Sequence, residues 1–264
     1  MGRKLLFITT DQQRWDSLGC NGNRFCRTPN IDALAASGIN YARAYNQNTV
    51  CMPARSSMLT GQYVRTHGVF ANGVPLPEDA PSFAQHLKEK AGYKTALIGK
   101  AHFEPGFDPQ MKFKENIRQR DGDFGPWRGF DYAIHAMHIA SFAGRPVGHY
   151  GRWLRTQSKE AFDNWPPLLN AAPGGDTGAP ETSNHHIPRG LYHTDWLRDL
   201  ALDWLGTLDA RPTISSARPR SAAIVGRASS VPSQRAKRTI SCSTISSAAG
   251  TSAARLERLS CTTD

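Results

Sequence analysis

The 264-residue sequence has five cysteines, Cys20, Cys26, Cys51, Cys242 and Cys261, and no C-x-x-C pair. This count and spacing exclude a dense disulfide framework and a paired-cysteine zinc site, so the thiols read as reduced ones. Long apolar runs are also missing. After Arg3 and Lys4 the apolar stretch runs only from Leu5 to Ile8 before Thr9-Thr10-Asp11, too short for a signal-peptide core or a membrane span. The expectation is a cytoplasmic protein with no membrane partner. Residues 213–264 contain no Phe, Tyr, Trp, Met or His. Eight large aliphatics between Ile214 and Leu259 cannot offset the entropy of ordering such a segment, so disorder is expected there.

The net charge of +10 is uneven along the chain. Residues 212–264 hold eight basic residues against Glu257 and Asp264, leaving only +4 for residues 1–211. The body of the chain therefore lacks the charge of a nucleic-acid binder. The basic residues of the tail form no helical stripe and have no aromatics interleaved among them, so no nucleic-acid partner is expected there either. Two regions result: 1–211, long enough for a substantial core, and a Ser/Arg/Ala/Thr-rich tail over 212–264.

In the first region, Lys4–Thr10 (KLLFITT) has the length and composition of a buried strand and delivers Asp11 at its carboxyl end. Thr28 to Gly38 carries helix signals in order: Thr as N-cap, Pro29 first, Asp32 in the first turn and Gly38 as terminator. Ile39–Tyr45 alternates like a strand, Pro81–Ala91 reads as a helix, and Lys94–Gly99 reads as a second buried strand that ends at Lys100-Ala101-His102. Residues 103–189 lack a clear period and read as long loops with minor elements. Leu191–Leu208 has the spacing of an amphipathic helix. Strands that alternate with helices and release polar residues at their carboxyl ends indicate an α/β fold, with a mostly parallel central sheet flanked by helices and a site along that edge.

Residues 51–61, CMPARSSMLTG, place Cys51 just before a proline suited to a first helical turn, with Arg55 one turn along on the same face. Free N–H groups and the helix dipole favour an anion at that end, and the planar fork of Arg55 suits a tetrahedral oxyanion. Spacing by itself fits a buried structural cysteine beside a surface arginine equally well.

This stretch resembles the signature of the type I, formylglycine-dependent sulfatases of the alkaline phosphatase superfamily. Three other landmarks occur in order: Asp11 after the first strand, Thr28-Pro29-Asn30-Ile31-Asp32-Ala33-Leu34, and Gly92-Tyr93 ahead of Thr95–His102. The resemblance is firm over 4–105 and looser to about 211. It implies an alkaline-phosphatase/sulfatase-like fold, of which this chain carries the N-terminal part, and hydrolysis of a small-molecule sulfate ester. Phosphonate or phosphate esters are the related alternative, and a catalytically incomplete fragment is the rival reading.

By the same resemblance a formylglycine-generating enzyme oxidises Cys51 to formylglycine, whose hydrated aldehyde offers one hydroxyl to attack sulfur and a second for release. Asp11 and residue 51 would ligate a divalent cation, calcium or alternatively manganese or magnesium. Arg55, Lys100 and His102 would contact the sulfate and the nucleophile, with Lys100 and His102 alternating on an extended stretch so that both face one pocket. Outside this constellation His102 would read as an ordinary loop histidine. Many sulfatases follow the first strand with two aspartates, whereas this chain has Asp11-Gln12, as in the choline-sulfatase and phosphonate-monoester-hydrolase branches. His135 with His138, and His185 with His186, have no acidic or cysteine companions at ligand spacing and read as surface or substrate-loop histidines.

The second-half motifs of the family, a histidine beside the sulfate, an Asp followed by Asn or His, and a further lysine, are not found. An apolar strand is due after Arg211, where the composition instead changes abruptly to one that fits out-of-frame reading of GC-rich DNA. The expectation is a shifted frame from about Pro212 and an inactive product. Sequencing the coding DNA checks this: one of the two other frames past the Arg211 codon should encode an apolar strand, a histidine-bearing loop and an Asp-His or Asp-Asn pair. Their absence from both frames would contradict it.

Overall fold

A computed structural model describes residues 4–11, 13–106, 108–136, 146–165, 187–209, 220–226 and 244–246. In chain order these form β1 (Leu5–Thr9), α1 (Pro29–Ser37), α2 (Cys51–Thr60), α3 (Val64–His67), α4 (Phe83–Ala91), β2 (Tyr93–Gly99), α5 (Lys114–Asp121) and β3 (Tyr132–His135). Then come α6 (Gly148–Gln157), α7 (Lys159–Asp163), α8 (His193–Asp209), β4 (Arg220–Gly226) and β5 (Thr244–Ser246). The sheet order is β3-β2-β4-β1-β5, parallel throughout except for β5, which runs antiparallel to β1. The expected α/β architecture with a mostly parallel sheet is what the chain adopts. No helix among the described residues is long and apolar enough to cross a membrane.

Alternation along β2 and β3 sorts the core onto two faces. Leu97 and Ala133 join Met52, Leu59, Val69, Leu76, Phe103, Trp127 and Phe130 on the side of α2 and α4. Ala96, Ile98 and Ile134 join Tyr150, Leu154, Trp165, Trp196, Leu197 and Ala201 on the side of α6 and α8. With both faces covered, β2 is buried from Thr95 to Gly99, as a parallel strand requires. These layers leave the carboxyl ends of β1 and β2 on one edge of the sheet.

Several elements differ from the sequence reading. Ile39–Tyr45 forms no strand: every residue in it is exposed, and alternation without a sheet edge or a buried face cannot hold a strand. Thr28 precedes α1 without capping it; its hydroxyl instead donates to Asp32 Oδ1 (2.9 Å) and accepts from the Gly19 N–H (2.8 Å). The stretch 103–189, read as loops, contains α5, β3, α6 and α7, elements of 4 to 10 residues too short to show a period.

Two short segments of the tail are described as strands. Arg220–Gly226 lies between β1 and β2, in register from Leu5↔Ala222 to Thr9↔Gly226, and Thr244–Ser246 pairs with β1 on its other side. β1 and β2 leave one strand's width of unpaired N–H and C=O groups between them, and Ala222-Ala223-Ile224-Val225 is an apolar run that can fill it. The rest of 212–264, together with Gln12, His138, His185 and His186, lies outside the described residues.

His135, expected at the surface or in a substrate loop, ends β3 with no exposed area, stacked on His149 at 5.5 Å between ring centroids. The His149 Nδ1 accepts the His135 N–H (2.9 Å), and neither ring nitrogen of His135 meets a hydrogen-bond partner among the described residues. Burial pushes both rings down, His149 to about 4, and the Arg118 charge adds to the effect. Both rings are therefore neutral in the fold, whereas an unfolded imidazole titrates near 6.5. Their contribution to stability is complete above that pH and is lost as pH falls toward about 4. Urea midpoints should accordingly decline across this window, and the decline should be shallower in His149→Gln, whose amide oxygen can still accept the His135 N–H. Equal slopes would contradict the assignment.

Candidate active site

The first turn of α2 is set by Val50 in an extended conformation and by Pro53, whose missing N–H costs nothing where no intrahelical acceptor exists. Gly61, at φ 68°, closes the helix in the left-handed conformation that glycine tolerates. Cys51 is the first helical residue and half-buried. The Met52 N–H beside it donates to Asn72 Oδ1 (3.0 Å), so Asn72 takes up one of the unpaired donors of this helix end.

Arg55 follows one turn later and is buried; its Nη1 donates to the Lys100 carbonyl oxygen at 2.6 Å. Lys100 is the residue after β2 and only 1% exposed. Its ammonium contacts Asp11 Oδ2 at 2.5 Å, and Asp11 stands two residues past β1. With β4 between them, β1 and β2 are about 10 Å apart at roughly 4.8 Å per strand spacing, a gap that a lysine stem and an aspartate together can bridge. The parallel topology thus joins residues 89 positions apart.

Burial pushes the Lys100 ammonium down and the neighbouring Arg55 charge pushes it further, while Asp11 and Cys51 pull it back up. Burial likewise lowers Arg55, opposed by Asp11, Cys51 and Glu115. Cys51 therefore lies within electrostatic reach of both cations. The result is two buried cations, with Asp11 and Glu115 as nearby carboxylates, beside the positive end of a helix that favours an added anion.

His102 is buried on the same segment, but the backbone there is not extended: its φ is 56°. A turned backbone, not strand alternation, sets its direction relative to Lys100. The segment is held by Glu115 of α5, whose carboxyl is pushed up to about 7 by burial against the pull of backbone N–H groups. Glu115 and Asn72 were not legible in the sequence: Glu115 lies in a stretch without period, and nothing local ties Asn72 to a helix twenty residues earlier.

Among the described residues, Asp11 does not by itself make a site for the divalent cation implied by the family resemblance. Asp11 already serves the Lys100 ammonium, and no three His, Cys, Asp or Glu side chains gather as a metal site among the described residues. A hard cation takes six or more oxygen ligands, and Asp11 would be a single carboxylate contributor.

A family model described as Sulfatase matches residues 3–216. An arylsulfatase of Clostridium perfringens is 38% identical over 211 residues, covering 79% of this chain and 40% of that protein. An ulvan-active sulfatase of Formosa agariphila is 36% identical over 122 residues, 46% of this chain and 22% of that protein. The crystal structure of a phosphonate monoester hydrolase of Agrobacterium radiobacter superposes with a TM-score of 0.56 at 23% identity, over 85% of this chain and 41% of that one, a likeness of fold. The chain thus spans well under half the length of each.

Because the Lys100 ammonium is buried against Asp11, Asp11→Ala should lower stability by about 3 kcal/mol, the cost of stranding a buried charge. Asp11→Ala combined with Lys100→Met should recover most of it. Equilibrium urea unfolding of the two variants checks this, and a double variant no more stable than the single one would contradict it.

Proposed function

The chain belongs to the sulfatase family, and from that membership we propose that it carries the nucleophile-bearing part of a sulfuric ester hydrolase site, with Cys51 as precursor of the nucleophile. The observation that carries this reading is the linked cluster of Arg55, Lys100 and Asp11, with Arg55 one turn along α2 from Cys51. Arg55 and Lys100 supply two positive charges to a sulfate group, and the helix end adds free N–H dipoles. His102, two residues past Lys100, would contact a hydroxyl of a formylglycine at position 51. A formylglycine there would be half-buried and within electrostatic reach of Arg55 and Lys100. It would supply a hydrated aldehyde, with one hydroxyl for attack and one for release, and a formylglycine-generating enzyme is the partner that would install it.

The substrate class is a small-molecule sulfate ester, in keeping with the arylsulfatase among the relatives. Phosphonate or phosphate esters form the second reading, favoured by Gln12 in place of a second aspartate. Asp11 is the residue we assign to a divalent cation, calcium before manganese or magnesium, in an assembly with further acidic ligands. We also place a boundary near 211, where the composition changes to the Ser/Arg/Ala/Thr-rich tail.

Mass spectrometry of the tryptic peptide bearing Cys51, from a host that makes formylglycine, should show an aldehyde in place of the thiol. The same preparation should not turn over an aryl sulfate at an enzymatic rate, because a single carboxylate does not make a cation site. Unmodified thiol throughout, or efficient turnover, would contradict the reading. Hydrolysis of a phosphonate monoester in preference to the sulfate would favour the second reading.

A further inference from the structure

We infer that Glu115 is the positioning residue of this site, its carboxylate filling the cluster of N–H groups of His102, Phe103 and Glu104 and so fixing the segment that carries Lys100 and His102. The inference rests on the roles proposed above for those two residues. Glu115 Oε1 accepts the His102 N–H at 2.8 Å, while Oε2 accepts those of Phe103 at 2.9 Å and Glu104 at 3.2 Å. Three successive amides converging on one side form an anion-binding concavity, and here an internal carboxylate occupies it.

The carboxylate is itself braced. The Glu115 N–H donates to Glu104 Oε2 at 2.6 Å, and Glu104 Oε1 accepts from Arg128 Nη2 at 3.0 Å. Arg128 also donates to the carbonyl oxygens of Leu76 and Pro77, at 2.8 Å each, and the Leu76 N–H returns to the Phe103 carbonyl at 2.8 Å. The segment is therefore pinned on one side by α5 and on the other by the chain at 76–77.

Such pinning has a purpose at His102. Its φ of 56° is a conformation that residues with a Cβ avoid, so it persists only where the surroundings impose it. The first N–H held by Glu115 belongs to His102 itself. Glu115 has no exposed area and cannot meet a substrate, which makes it a positioning group and not a catalytic one. Only a carboxylate of this length satisfies the geometry. Glutamine would present an NH₂ donor to one of the N–H groups, and aspartate is one methylene short.

The test uses the full chain, isotopically labelled, with inorganic sulfate as the probe. In Glu115→Gln, amide exchange at residues 102–104 should accelerate, and sulfate affinity should fall by about tenfold or more, the scale of losing charge-assisted bonds. Glu115→Asp, which keeps the charge and is the variant to use where the glutamine form does not fold, should fall between wild type and Gln in both readouts. A merely structural role would lower the melting temperature but leave the sulfate affinity of the folded protein unchanged. Wild-type affinity in Gln, or in Asp where Gln does not fold, would overturn the positioning role. Lys100→Met separates this from failure of the site reading: unchanged sulfate affinity there would overturn that reading, and the positioning role with it, whereas the exchange data report on the Glu115 clamp independently.

Discussion

A lysine ammonium with almost no access to water needs a counter-charge in its own layer of the fold, and Lys100 finds it in Asp11. That ion pair constrains much of the molecule. It requires the carboxyl ends of β1 and β2 to lie on the same edge of the sheet, which parallel pairing through β4 provides. It also requires Arg55, a second buried cation, to be tolerated close by. The Lys100 carbonyl accepts from the Arg55 guanidinium, so the backbone that presents the ammonium also anchors its neighbour.

Two buried cations and the N-terminus of α2 face the carboxylates of Asp11 and Glu115, and the helix end tips the local charge to the positive side. In a buried setting such an imbalance is costly unless an anion completes it. On the proposed function, a tetrahedral oxyanion would bring the missing charge and accept from planar and point donors together. Dipoles and charges fixed before a ligand arrives need no reorganisation when charge develops on it. The Glu115 clamp, the Asn72 bond to the helix end and the Arg128–Glu104 pair form the rigid frame around this imbalance.

The parts of this site that follow local rules could be read from the sequence. An apolar run ending in Asp11, a second ending in Lys100, and a Pro-bearing helix start with Gly61 at its end all write their structure into a few consecutive residues. α8 was legible for the same reason, since 17 residues show a helical period clearly. The four-residue β3 did not, and its His135 looked like a loop histidine because its burial depends on Trp127 and His149, brought in by later packing. Ile39–Tyr45 shows the reverse error: alternation is present, but a strand also needs a neighbour. Glu115 and Glu104 resemble ordinary surface carboxylates in the sequence, and only the turned backbone at 102–104 gives them a use.

The central claim is that the first turn of α2, Arg55 and Lys100 form a preorganised oxyanion site. Diffraction from crystals of this chain soaked in tungstate, a tetrahedral dianion visible by anomalous scattering, tests it most directly. The account predicts one strong peak within hydrogen-bonding distance of Arg55 and Lys100, beside Cys51. A peak only at surface arginines, or none at all with the soak otherwise effective, would contradict it.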